Sequence, residues 1–196
     1  MLNSNLPIYQ LVINNEDESG VDYIALVDQP AIEKNFIAFN NSQKFQIQNE
    51  EKRIVSGALM IAGLPIYRYD MQMGEYYCVF LADTIRQIAM KYFKNQYTSN
   101  VNLMHDPNQQ VQDVFMFESW LVDRSLGKMP MKGFEDVADG SWFGSFKVNN
   151  DQVWNEIKQG AYKGFSVEGL FGGRLVPMGE RQILSKIDEI KKLLNT

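Results

Sequence analysis

A serine hydroxyl attacks a carbonyl usefully near neutral pH only when a base takes its proton, and that base needs an acceptor to fix its tautomer. The chain holds a single histidine, His105, so any mechanism built on imidazole has one candidate base. Ser166 lies in Lys163-Gly164-Phe165-Ser166-Val167-Glu168-Gly169, where the flanking glycines let a peptide backbone or an oxyanion approach closely. Together they suit acyl transfer through a serine nucleophile. Each also has a plainer reading, since a lone histidine at a strand end and a serine in a glycine-bounded strand are common packing residues.

The orienting acid has more than one candidate. Glu118 follows His105 by thirteen positions and interrupts an apolar run over 114–120, where a buried carboxylate would need a partner. A hairpin turning near Gln110 and Val111 would bring it across the ladder toward the histidine. Glu168 is the rival, because residues i and i+2 on a strand share a face and this places it beside Ser166. Asp106 is less suited, as adjacent strand residues point to opposite faces.

Other chemistries find no residues to carry them. There is no glycine-rich phosphate loop, no HExxH and no G-x-S-x-G around Ser166. Cys78 is the only cysteine, which rules out an internal disulfide and a cysteine-based zinc site and fits a reducing compartment. No cofactor or metal is implied. The formal charge of −5, without a Lys/Arg cluster, gives no footprint for nucleic acid or for an anionic membrane. Residues 1–10 lack the pattern of a secretion signal, and no apolar run approaches the roughly 18 residues needed to span a bilayer.

The elements that must position these residues read mostly as strands. At 196 residues the chain is long enough for one sizeable core. Residues 8–13, 23–27, 54–61, 76–81, 101–105, 114–122, 141–148 and 164–171 have strand character, with those at 101–105 and 114–122 read as antiparallel neighbours. Residues 83–95 carry Ile85, Ile88, Ala89, Tyr92 and Phe93 at helical spacing, with Asp83 or Thr84 as N-cap. Asn150 or Asp151 caps a second, short helix that ends at Gly160. Residues 40–51 read as an exposed polar connector, and 106–110 as a turn. Residues 123–140 read as a long mobile loop over the site. Ile183, Ile187, Ile190 and Leu194 form one stripe of a C-terminal amphipathic helix. The expected organisation is an N-terminal extended segment and linker (1–52), a core domain (53–178) and that helix (179–196). Strands outnumber helices, so the fold class is α+β, an antiparallel sheet or small barrel with peripheral helices.

Three segments, in this order, resemble the XkdF-like phage serine proteases: Ala25-Leu26-Val27-Asp28-Gln29-Pro30-Ala31-Ile32-Glu33-Lys34-Asn35-Phe36, Asn102-Leu103-Met104-His105-Asp106, and the Ser166 segment. Gly140-Ser141-Trp142 and Trp154-Asn155-Glu156-Ile157-Lys158-Gln159-Gly160 extend the likeness. The resemblance implies relation to prohead maturation proteases and to the herpesvirus assemblin fold, a β-barrel surrounded by helices with histidine before serine. It also implies cleavage of scaffold and capsid-protein extensions inside an immature capsid in the host cytoplasm. Scaffold protein and major capsid protein would then be the partners, with the C-terminal helix tethering the enzyme to scaffold or pairing with itself. The herpesvirus relatives use a second histidine as third member; this chain has none, so an acid substitutes or the site is a dyad. Two other readings compete: a non-catalytic interior capsid protein that keeps the fold, and an acyl hydrolase for small esters.

Overall fold

The apolar runs bounded by turn residues become strands, and the polar stretches between them supply further edge strands. The computed structural model describes residues 6–13, 19–28, 45–49 and 52–175. Over these residues the strands are β1 (Ile8–Val12), β2 (Gly20–Val27), β3 (Gln46–Asn49), β4 (Ile54–Met60), β5 (Ile66–Asp70) and β6 (Gly74–Val79), followed by β7 (Val101–Leu103), β8 (Asp106–Gln110), β9 (Val114–Leu121), β10 (Trp142–Val148), β11 (Gly164–Leu170) and β12 (Gly172–Leu175). Helix α1 (Ala82–Lys94) joins β6 to β7, and α2 (Asp151–Lys158) joins β10 to β11.

The strands form three four-stranded sheets with orders β12-β1-β6-β5, β3-β4-β10-β9 and β11-β2-β7-β8. The α+β class holds, with strands dominant. None of the sheets closes on itself, so the described strands do not make the closed barrel that the resemblance implies. Most pairings are antiparallel; β1 with β6 and β2 with β7 are parallel. The early segment enters two of these sheets, with β2 a central strand whose Ile24, Ala25 and Leu26 are fully buried. The C-terminal helix expected over 179–196 lies outside the described residues.

One core joins the sheets to α1. Ile85, Ile88 and Tyr92 lie on the buried face of α1, as their spacing predicts, and Tyr92 meets Trp142 of β10 edge-on at 5.5 Å. Each such side chain contributes about 1.5–3 kcal/mol by leaving water. The helix has no side-chain cap: Leu81, not Asp83 or Thr84, is its N-cap, because the helix begins one residue earlier than the periodicity indicates. In α2, Asn150 Oδ1 accepts from the Val153 amide at 3.0 Å, the cap the sequence suggests. A satellite cluster forms where Phe143 stacks on Trp120 and meets Phe134 edge-on.

Four strands were illegible as apolar runs. β3 falls in the polar connector and pairs with β4, Ile47 opposite Val55, after Phe45 plugs into the core. β8 falls in the polar turn after His105, and its Pro107 is tolerated because the strand lies at a sheet edge. β5 and β12 are also edge strands, where one side of the ladder needs no partner and polar residues are at home. Residues 123–140 are anchored rather than loose. Arg124 pairs with Asp139 and donates to the Glu135 and Val137 carbonyls at 2.8 and 2.9 Å, while Phe134 and Val137 are buried. No helix among the described residues is long and apolar enough to cross a membrane.

Candidate active site

His105 stands at the tip of the hairpin joining β7 to β8. Leu103 pairs with Asp106, leaving Met104 and His105 as a two-residue loop with φ of 55° and 61°. A type I′ turn needs positive φ at both central positions, which Asn-Gly meets easily and Met-His does not. Each residue so held costs on the order of 1–2 kcal/mol. The strain is held by the parallel neighbour β2: the Met104 amide donates to the Leu26 carbonyl at 3.0 Å, and the Asp28 amide to the Met104 sulfur at 3.4 Å. A hairpin tip fixed this way presents the imidazole in one place.

Ser166 lies on β11, and the sheet register runs Ser166 to Ala25 on β2 to Asn102 on β7. Residues in register share a face, so the three side chains stand side by side. Strands β11 and β7 are two spacings apart, roughly 10 Å. The gap is crossed above Ala25, which offers only a methyl group. Glu168, two residues after Ser166 and on the same face, spans it: Asn102 Nδ2 donates to Glu168 Oε1 at 2.7 Å, and His105 Nδ1 lies 2.9 Å from the same oxygen. Asn102 is 1 % exposed, and its Oδ1 accepts no hydrogen bond from the described protein.

The acid at the histidine is therefore Glu168. Glu118 accepts instead from Ser145 Oγ at 2.6 Å, with Ser145 receiving Ser56 Oγ at 2.9 Å behind it. The hairpin expected to bring Glu118 to His105 does not form, because β9 pairs with β10 in one sheet and β7 with β8 in another. Asp106 is folded back on its own strand, accepting from the Asn108 amide at 2.9 Å and Gln109 Nε2 at 2.8 Å. These bonds, the backbone one foremost, hold its carboxyl below the usual range.

With Nδ1 engaged, His105 Nε2 is the nitrogen left for chemistry. His105 and Ser166 line one cavity of about 460 Å³. No hydrogen bond joins them; Ser166 is 6 % exposed and its hydroxyl has no hydrogen-bond partner among the described residues. Apolar walls come from Leu59, Ile61, Ile66, Phe80 and Phe171, and Arg68 supplies a cation. Cys78 lies in the same lining, where burial pushes its thiol up and Arg68 opposes the rise. Residues 172–174 form the ladder of β12 with β1 and do not line the cavity. The loop at 123–140 does not line it either. No cluster of three or more His, Cys, Asp or Glu side chains suited to a metal ion occurs among the described residues.

The profile of one protein family, described as Putative phage serine protease XkdF, matches residues 42–172, more than half of the chain. The chain belongs to this family. The match includes His105, Glu118, Ser166 and Glu168, and β1 and β2 precede it. No curated protein and no solved structure matches the chain.

Asn102 and Arg68 escaped sequence reasoning. Asn102 left one signal, an amide inside the short apolar run 101–103, which must find a partner if buried. Arg68 left none, because it sits between the expected strands 54–61 and 76–81 in a stretch without an apolar pattern.

Proposed function

We propose that this chain is a serine endopeptidase that cleaves scaffold protein and capsid-protein extensions inside the immature capsid of a tailed phage, in the host cytoplasm. Ser166 is the nucleophile, His105 the base, and Glu168 the group that orients the imidazole. The observation that carries the assignment is the chain's only histidine held through Nδ1 by Glu168 at a cavity that Ser166 shares. Membership of a phage serine protease family supports the reaction class and the setting.

The proposed step uses these three side chains. Ser166 Oγ attacks the scissile carbonyl carbon while His105 Nε2 takes the hydroxyl proton, and the Glu168 carboxylate steadies the imidazolium. The tetrahedral intermediate collapses as the C–N bond breaks and Nε2 returns the proton to the leaving amine. Water then attacks the acyl-enzyme, giving its proton to His105, and the acid product departs as Oγ regains a proton. The buried Asn102 donates to Glu168 and fixes the carboxylate that fixes the histidine. It is a positioning residue.

The competing reading is a non-catalytic interior protein of the capsid, favoured by the missing hydrogen bond between Ser166 and His105. That bond often tightens only when substrate is present. Intact-mass analysis of wild type and Ser166→Ala, each incubated with the cognate scaffold and major capsid protein, separates the two. Cleavage by wild type alone supports the protease; intact partners in both, or equal cleavage by both, refutes it.

A further inference from the structure

We propose that the cavity beside Ser166 selects peptides carrying a carboxylate next to an apolar side chain, and that Arg68 is the residue that reads the carboxylate. This rests on the protease reading for the identity of the ligand as a peptide, but its evidence is separate.

One wall of the cavity is a face of the sheet β12-β1-β6-β5. Ile66 and Arg68 are i and i+2 on β5 and so share a face, and Ile66 is in register with Cys78 on β6. Leu11 of β1 and Phe80 just beyond β6 complete this side. The wall is apolar except for one guanidinium. Arg68 Nη1 donates to the carbonyl of Tyr67 at 3.1 Å, and Arg68 makes no ion pair among the described residues. Of the other ionisable side chains in the lining, Glu168 and His105 are paired with each other, and the Cys78 thiol is buried with its pKa pushed up. Arg68 is thus the cation in the lining whose fork remains free to take two carboxylate oxygens at once. The chain's net charge of −5 makes that local cation the more selective, since acidic ligands are repelled by the protein as a whole and attracted only there.

The apolar area beside it accommodates an aliphatic or aromatic neighbour of the acid, and a cavity of about 460 Å³ has room for both. Because Arg68 is exposed on an edge strand, replacing it leaves the core intact.

The test uses the full chain carrying Ser166→Ala, so that ligands stay uncut. Fluorescein-tagged octapeptides differing at one position, glutamate, glutamine or lysine beside leucine, are titrated by fluorescence anisotropy at low salt. The glutamate peptide is expected to bind about five- to tenfold more tightly than the glutamine peptide, the range of a partly exposed ion pair. Adding Arg68→Ala should erase that preference, and Arg68→Glu should invert it in favour of lysine. The same ranking in all three proteins, or no binding of any peptide, overturns the proposal. Fluorophosphonate labelling of the wild-type chain is the separate control on the protease reading. Labelled Ser166 without charge ranking rejects the Arg68 role alone; charge ranking with unlabelled Ser166 rejects the nucleophile and keeps the acid preference.

Discussion

Replacing Glu168 by glutamine keeps the shape of the site and removes its negative charge. In the structure one oxygen of Glu168 accepts from Asn102 Nδ2 and lies 2.9 Å from His105 Nδ1. A glutamine that places its oxygen there keeps both contacts but withdraws the negative charge that steadies the imidazolium. Losing an opposite charge 2.9 Å from the ring lowers kcat/KM by ~100-fold or more, about 3 kcal/mol or above. Glu168→Ala removes the charge and the acceptor together and should cost at least as much. Glu118→Gln should stay within about threefold, since its oxygen still accepts from Ser145, with at most about 1 kcal/mol lost in stability. The assay is cleavage of scaffold protein under single-turnover conditions, with KM and kcat separated. Nitrogen NMR of the ring reports the tautomer directly, because the chain has one histidine. A Glu168→Gln enzyme within tenfold of wild type, or a Glu118→Gln enzyme as impaired as Glu168→Gln, would refute the reasoning.

Further expectations concern the scaffold of the site. Gly169→Ala would set a Cβ 1.7 Å from the Gly20 carbonyl oxygen, a backbone atom that cannot step aside, so about 3 kcal/mol or more of stability should be lost in a denaturant melt. Met104→Gly relieves one positive-φ residue and should stabilise by roughly 1 kcal/mol, read as a rise in melting temperature. Burial raises the Tyr92 hydroxyl above its ordinary 10.0 and, with Glu156 nearby, the Tyr162 hydroxyl to about 12. The folded state holds these protons more tightly than the unfolded chain, so their contribution is complete below pH 10 and falls as pH rises past it; thermal melts from pH 8 to 11 check this. Cys78, buried with its thiol pushed up, should react with iodoacetamide at pH 8 far more slowly than after denaturation.

The buried strands and both described helices were legible because apolar spacing records the face that meets the core. Ile85, Ile88 and Tyr92 say as much about α1 as the structure does. The polar edge strands were not legible, since β3 and β8 carry polar residues such as Gln46, Asn108 and Gln109 and take their order from the sheet rather than from an apolar pattern. His105 and Ser166 could be picked out by residue type, but their acid could not. The choice between Glu118 and Glu168 depends on which strand neighbours which, and β2, contributed by the early segment, is what places β11 beside β7 across the single methyl of Ala25. Sequence periodicity fixes faces; it does not fix strand order.

The most direct test of the central claim is to treat the full chain with a fluorophosphonate and map the adduct by peptide mass spectrometry. The account predicts a single adduct on Ser166 that is lost in His105→Ala and strongly reduced in Glu168→Gln. An adduct on another serine, or labelling of Ser166 that is indifferent to His105, would contradict it.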